Sequence, residues 1–169
     1  LVARSKGTLR GLDAATGREI FHTECDGFAR AANGDDLFVA SRGMLSRIDS
    51  SNGERRWQRR MRSSAPLWPV AGGVVRPTEE GIVYVSDLGA VAFETRVPGG
   101  RPELCAEGEG TVLLAGKEHL LALDAERGKP SSGFGDDGLV DLKASVRGDM
   151  DGGFSLASPP TVYRNIVIT

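Results

Sequence analysis

Histidine and cysteine are nearly missing from this chain of 169 residues, which has two of each. His22 and His119 do not stand at metal-ligand spacing with each other or with a cysteine. No Ser-His-Asp or Cys-His set can be assembled from the sequence. Both histidines are expected at surface or turn positions, and no catalytic or metal-binding residue is assigned on these grounds. Long apolar runs are also lacking, and nothing approaches the length that crosses a bilayer. No stretch of a dozen residues carries apolar positions at helical spacing without a Gly or Pro break, so little helix is expected. A net charge of −2 gives no reason to expect nucleic acid as a partner.

Turn formers are abundant instead, with 23 glycines and 8 prolines, and they recur in a pattern. Leu12-Asp13-Ala14-Ala15-Thr16-Gly17 is followed by Ile48-Asp49-Ser50-Ser51-Asn52-Gly53 and by Leu123-Asp124-Ala125-Glu126-Arg127-Gly128. Ala92-Phe93-Glu94-Thr95 reads as a worn copy between them. The acidic residues at 13, 49, 94 and 124 stand 36, 45 and 30 residues apart. Periods in this range mark solenoids, propellers or arrays. In the second repeat, Leu37-Phe38-Val39-Ala40 and Met44-Leu45-Ser46-Arg47-Ile48 are short apolar runs separated by a Gly turn. The Asp-to-Gly turn then leads into Glu54-Arg55-Arg56-Trp57. An Asp carboxylate can accept from backbone amides two residues on, and Gly takes a positive φ without steric cost. Strand, turn, strand, turn and strand make an antiparallel meander.

One such sheet cannot bury both faces, and stacking successive sheets around an axis solves this. The fold class expected is therefore all-β, a partial β-propeller of about four four-stranded antiparallel blades. The chain reads as one arc over 1–169, with repeats near 1–25, 26–60, 61–105 and 106–150, and 151–169 beginning the next blade. Phe21, Trp57 and Phe134 are expected as packing plugs between neighbouring blades. The chain opens and closes at the same phase of the repeat. That suggests an internal fragment, with two faces open to missing neighbouring blades or to self-association.

The remaining features have plain readings. Arg55-Arg56-Trp57-Gln58-Arg59-Arg60-Met61-Arg62 is a solvated strand edge guarded by charge. Cys25 and Cys105 fall in repeats that are not neighbours, too far apart for a disulfide. Asp149-Met150-Asp151-Gly152-Gly153 starts like a calcium loop but lacks its later ligands, and is read as a turn. Asp136-Asp137-Gly138 is a hairpin turn. Gly108-Glu109-Gly110 precedes a strand, so it forms no phosphate cradle.

The phrase strand–Leu-x-Ala-Leu-Asp-x-x-x-Gly–x-x-x-Trp resembles the repeat of the pyrroloquinoline quinone (PQQ) β-propeller superfamily. A more specific likeness covers roughly 115–169. There Leu121-Ala122-Leu123-Asp124 leads to Gly133-Phe134-Gly135-Asp136-Asp137-Gly138-Leu139-Val140-Asp141-Leu142, and Ser158-Pro159-Pro160-Thr161-Val162 opens the next blade. This combination resembles the quinoprotein glucose and alcohol dehydrogenases, especially the membrane-type glucose dehydrogenase branch. The resemblance implies eight blades, with PQQ and calcium near the axis. It implies oxidation of a sugar, polyol or alcohol hydroxyl by hydride transfer to the quinone, with a quinone or cytochrome as electron acceptor at the periplasmic side of a membrane. A Thr just before Ser-Pro-Pro contacts the quinone in the family. Ala157 stands at that place here, with Ser155 and Ser158 beside it as the candidate cofactor contacts. The calcium carboxylate and the base Asp would follow Thr169, so this piece alone is expected to be inactive. The alternative is a cofactor-free propeller scaffold for protein interaction, as in BamB-type assembly factors or sensor domains.

Overall fold

The computed structural model describes residues 2–5, 7–24, 28–31, 34–41, 43–61, 66–108, 110–145, 160–163 and 166–168. Among them the regular structure is almost all strand, with one helix of four residues. The first sheet holds β1 (Val2–Ser5), β2 (Thr8–Leu12) and β3 (Glu19–Glu24). The second holds β4 (Phe28–Ala31), β5 (Asp36–Ser41), β6 (Met44–Asp49) and β7 (Arg55–Arg60). The third holds β8 (Trp68–Val70), β9 (Gly73–Pro77), β10 (Gly81–Ser86) and β11 (Val91–Arg96). The fourth holds β12 (Leu104–Gly108), β13 (Thr111–Ala115), β14 (His119–Asp124) and β15 (Leu139–Asp141), followed by α1 (Leu142–Ser145). A last antiparallel pair joins β16 (Thr161–Tyr163) to β17 (Ile166–Ile168). In every sheet the strands lie side by side in chain order, which is the meander that the short runs and Gly turns dictate.

Burial follows position within the sheet. The inner strands are apolar on both faces, as in Leu37, Phe38 and Val39 of β5, Ile82 to Val85 of β10, and Leu120 to Leu123 of β14. Strands covered on both sides read as unbroken apolar runs, not as an alternation. The outer strands β3, β7 and β11 expose most of their residues.

The chain divides into two compact units, one of Leu1–Val74 with Val85–Ala90 and one of Val75–Tyr84 with Val91–Thr169. In the first, Leu9, Phe21, Leu37, Val39 and Ile48 form one buried cluster drawn from the first and second sheets. In the second, Ala115, Leu120 and Leu142 form a cluster, with Leu104, Phe134, Val140 and Val167 packed against it.

Three turns share one construction. Asp13, Asp49 and Asp124 each donate their amide to the carbonyl five residues on, and each accepts at its own carbonyl from the amide of Gly17, Gly53 or Gly128. Their carboxylates take the amides inside the turn: Ala15 and Thr16 on Asp13, Ser51 on Asp49, Glu126 and Arg127 on Asp124. The third sheet departs from the expected phase. Its turn lies at Ser86–Ala90, where Ser86 N donates to Ala90 O and Ser86 Oγ accepts from Ala90 N. Ser86 ends β10 as Asp49 ends β6 and Asp124 ends β14. The turn is one residue shorter, and a hydroxyl does the capping. Glu94, expected as the third acidic mark, instead lies exposed within β11.

With the turns aligned, an aromatic follows the first three turn glycines by four residues: Phe21 after Gly17, Trp57 after Gly53, Phe93 after Gly89. Each ring then covers the turn glycine of the next sheet. A Cβ on Gly53 would come within 2.5 Å of the Phe21 ring, one on Gly89 within 3.0 Å of Trp57, and one on Gly128 within 2.2 Å of Phe93. Phe21 and Trp57 thus plug between sheets as the sequence suggested, and Phe93 joins them. Phe134 covers no turn glycine, because the corresponding place is taken by the exposed Ser132. Phe134 lies in the connection from β14 to β15 and packs on the cluster around Leu120.

Candidate functional site

The candidate cofactor contacts Ser155, Ala157 and Ser158 lie outside the described residues, as do Asp149, Asp151 and Cys25. The structure shows what leads into that segment and what receives it. On the entry side, α1 begins under Asp141, whose Oδ1 accepts from Lys143 N at 2.9 Å and Ala144 N at 3.1 Å. Asp and other short polar residues are favoured at this place because they satisfy amides that have no helical partner. Leu142 is buried, its amide donates to Glu118 O at 2.8 Å, and Lys143 Nζ stands 2.5 Å from Glu118 Oε1. On the exit side Pro160 is buried and β16 pairs antiparallel with β17.

The phrase that carried the dehydrogenase resemblance has a geometric reason. Asp136 and Leu139 exchange both backbone hydrogen bonds, at 2.8 and 3.0 Å, around Asp137 and Gly138. Those two residues have φ of 50° and 91°, the left-handed values that a two-residue hairpin turn requires and that favour Asp-Gly. Gly138 N donates to Phe134 O and Ala122 N to Gly138 O. At Gly135, φ is 54° and an added Cβ would lie 2.3 Å from Leu139 O. Gly135 and Gly138 are thus demanded by positive φ and crowding, whereas a Cβ on Gly133 would meet nothing within 4 Å. Asp136 and Asp137 both point to solvent, and the hairpin fixes where β15, and hence α1, begins.

The titratable groups divide into structural and inert ones. Among the described residues no three His, Cys, Asp or Glu side chains come together. His22 is exposed on β3, with Nδ1 2.9 Å from Glu19 Oε1. His119 is not at the surface or in a turn as expected. It is half-buried at the start of β14, carried inward by the run Leu120 to Leu123 that follows it. Cys105 is a free thiol in β12. Burial, with the nearby Glu107 charge as a lesser cause, pushes it up to about 12, so it stays protonated and weakly nucleophilic. The Thr16 hydroxyl and amide hold Asp13 below the usual carboxylate range, and the Ser51 hydroxyl and amide do the same for Asp49, helped by Arg56.

One group escaped the sequence reading. Arg47, in the middle of β6, places Nε 2.7 Å and Nη2 2.5 Å from the two oxygens of Asp36. Its Nη1 donates at 2.7 Å to the carbonyl of Asp87, which also accepts from Trp57 Nε1 at 2.6 Å. The paired Asp36 carboxylate raises the Arg47 pKa further. Its only sequence signal was a charge inside a buried run, which requires a partner.

Meanders of this order, closed by Asp-to-Gly turns and joined by rings lying on glycines, define a β-propeller of the PQQ-repeat class. Residues 30–169 match the family described as glucose/ethanol/alcohol dehydrogenase, beta-propeller domain, and the chain belongs to that family. It is 27% identical over 139 residues to a probable quinate dehydrogenase (quinone) of Xanthomonas campestris pv. juglandis, covering 80% of this chain and 17% of that protein. It is 26% identical over 136 residues to the glycerol dehydrogenase large subunit of Gluconobacter oxydans (strain 621H), covering 80% and 16%. The chain thus spans about a sixth of the length of these relatives. Among solved structures, BamB from Moraxella catarrhalis is similar with a TM-score of 0.55 and 24% identity, over 76% of this chain and 43% of that one. Kluyveromyces lactis Hsv2 gives 0.58 and 12% over 95% and 47%, and the computationally designed Ika8 protein 0.63 and 15% over 98% and 53%. At these identities the structures share the fold.

Proposed function

We propose that this chain is part of a PQQ-dependent dehydrogenase that oxidises a sugar, polyol or alcohol hydroxyl. The observation that carries the reading is the family match over residues 30–169, together with two curated relatives that are both dehydrogenases. When bound, PQQ supplies the electron sink for the hydride leaving the hydroxyl-bearing carbon, and the protein supplies binding and orientation. This chain's part is to frame the cofactor segment. The Asp141 cap, buried Leu142 and the Lys143–Glu118 pair fix its start, and Pro160 and the β16–β17 hairpin fix its end. Within it Ser155 and Ser158 carry hydroxyls that can donate to a quinone oxygen, and Ala157 offers only a methyl group. The base Asp and the calcium carboxylates belong to other parts of the protein, and no proton step is assigned to the residues described here.

On this reading the acceptor is a quinone or cytochrome and the protein works at the periplasmic face of a membrane. The test is dye reduction by the full reading frame containing this chain, loaded with PQQ and calcium, on quinate, glycerol and glucose. PQQ-dependent reduction with one of them is expected. Absence of both PQQ binding and reduction would replace the reading with a cofactor-free scaffold of the BamB kind.

A further inference from the structure

Strand β7 concentrates charge as no other strand among the described residues does. Arg55, Arg56, Arg59 and Arg60 are four of its six residues, and all four are exposed. Arg56 is spoken for, since its Nη2 pairs with the buried Asp49 carboxylate. Arg55, Arg59 and Arg60 pair with no carboxylate among the described residues. β7 is also the end strand of its sheet, hydrogen-bonded to β6 on one side, with no described strand on the other.

Arrangement decides what such an edge can take. Arg55 and Arg56 stand at the register shift between β6 and β7, but beyond it successive side chains of the strand point to opposite faces, so Arg59 and Arg60 project to the two sides of the edge. A flat anionic surface would meet one face of the sheet and leave one of these two charges unused. An extended chain lying along the edge would meet both Arg59 and Arg60, because its own side chains alternate in the same way and its backbone can fill the open ladder. The arginines that deter a like strand from pairing there favour one bearing carboxylates, through charge-assisted pairs with guanidinium groups. We propose that the outer edge of β7 is a docking site for an extended acidic segment of a partner protein, which adds as a further strand beside Arg55–Arg60. The proposal is independent of the cofactor and of the dehydrogenase reading.

The experiment uses the full-length protein and a fluorescein-labelled peptide alternating glutamate with valine, read by fluorescence anisotropy. A second peptide of the same composition is N-methylated along its backbone, which keeps its charge and removes its ladder donors. Saturable binding of the first is expected, weakened by about tenfold or more by N-methylation and by the Arg59→Glu, Arg60→Glu double variant. The Arg59→Lys, Arg60→Lys double variant, which keeps the charge, should bind measurably and controls for folding. Equal binding of the N-methylated peptide would overturn strand addition in favour of general attraction for polyanions. Binding to phosphatidylglycerol vesicles that the double Glu variant abolishes, with no binding of either peptide, would assign the edge to a lipid surface instead. Self-association lost in the same variant, with no binding of either peptide, would assign it to a second copy.

Discussion

The indole of Trp57 and the backbone of Gly89 fit each other: the ring occupies the space a side chain at residue 89 would need, and Nε1 donates at 2.6 Å to the Asp87 carbonyl two residues away. A large apolar surface and a directed hydrogen bond are fixed by one side chain. Trp57→Ala should therefore destabilise the protein by about 2–4 kcal/mol, toward the lower side of values for buried aromatics because the ring is only half-buried. Trp57→Phe should cost about 1 kcal/mol through the unpaired Asp87 carbonyl, which Arg47 still partly satisfies. Denaturant unfolding of the two variants separates packing from hydrogen bonding.

Gly17 and Gly53 offer a matched pair. Both have positive φ, 69° and 78°, but a Cβ on Gly17 meets nothing within 4 Å whereas one on Gly53 falls 2.5 Å from Phe21. Gly17→Ala should cost only the left-handed backbone penalty, about 1–2 kcal/mol. Gly53→Ala should cost that and more, because Phe21 is 7% exposed and has no room to retreat. Equal melting temperatures for the two variants would show that the ring is not held on Gly53.

The carboxylates of Asp13 and Asp49 are held below their usual range, so they bind protons less readily folded than unfolded. The stability they contribute is present above the unfolded value, about 3.9, and is lost as pH falls through their lower folded values. Thermal unfolding between pH 6 and 2 should show stability declining below about pH 4. Asp13→Asn and Asp49→Asn should each flatten that decline.

Cys105 should be slow to react. With its thiol pushed up to about 12, only about one molecule in ten thousand carries thiolate at pH 8. Iodoacetamide labelling of the folded protein at this residue should lag far behind labelling in denaturant, and mass spectrometry of the labelled peptide reads both. Rapid modification in the folded state would mean the site is open to water.

Legibility in the sequence depended on whether a residue's job was local. Asp13, Asp49 and Asp124 could be picked out because an Asp turn is made within six residues, and the meander around each followed. Phe21 and Trp57 could be assigned as plugs from their place after the turn. The third turn was hidden by a single missing residue and by Ser86 in the place of Asp, and Glu94 then offered a false match at a plausible interval. Phe93 was lost with it. Arg47 and Asp36 were invisible as a pair because their meeting depends on the register of β5 against β6, in which Asp36 faces Asp49 and Arg47 faces Phe38. Of the site, the Asp136–Gly138 hairpin was readable from turn chemistry. Its place just ahead of β15 and α1 needed the structure.

The ring-on-glycine contacts give the chain a polarity. Each sheet extends a knob forward and presents a hollow backward, so Phe21, Trp57 and Phe93 all point toward higher residue numbers. A sheet transplanted between two such proteins must bring its own ring and its own glycine. Its neighbours must match it on one side by size and on the other by emptiness. At Ser132 the series has no knob to extend, and the junction that follows is free of that constraint. There Val167 of β17 packs instead on the cluster of Ala115, Leu120 and Leu142, an apolar contact that asks for matching volume and not for a missing side chain.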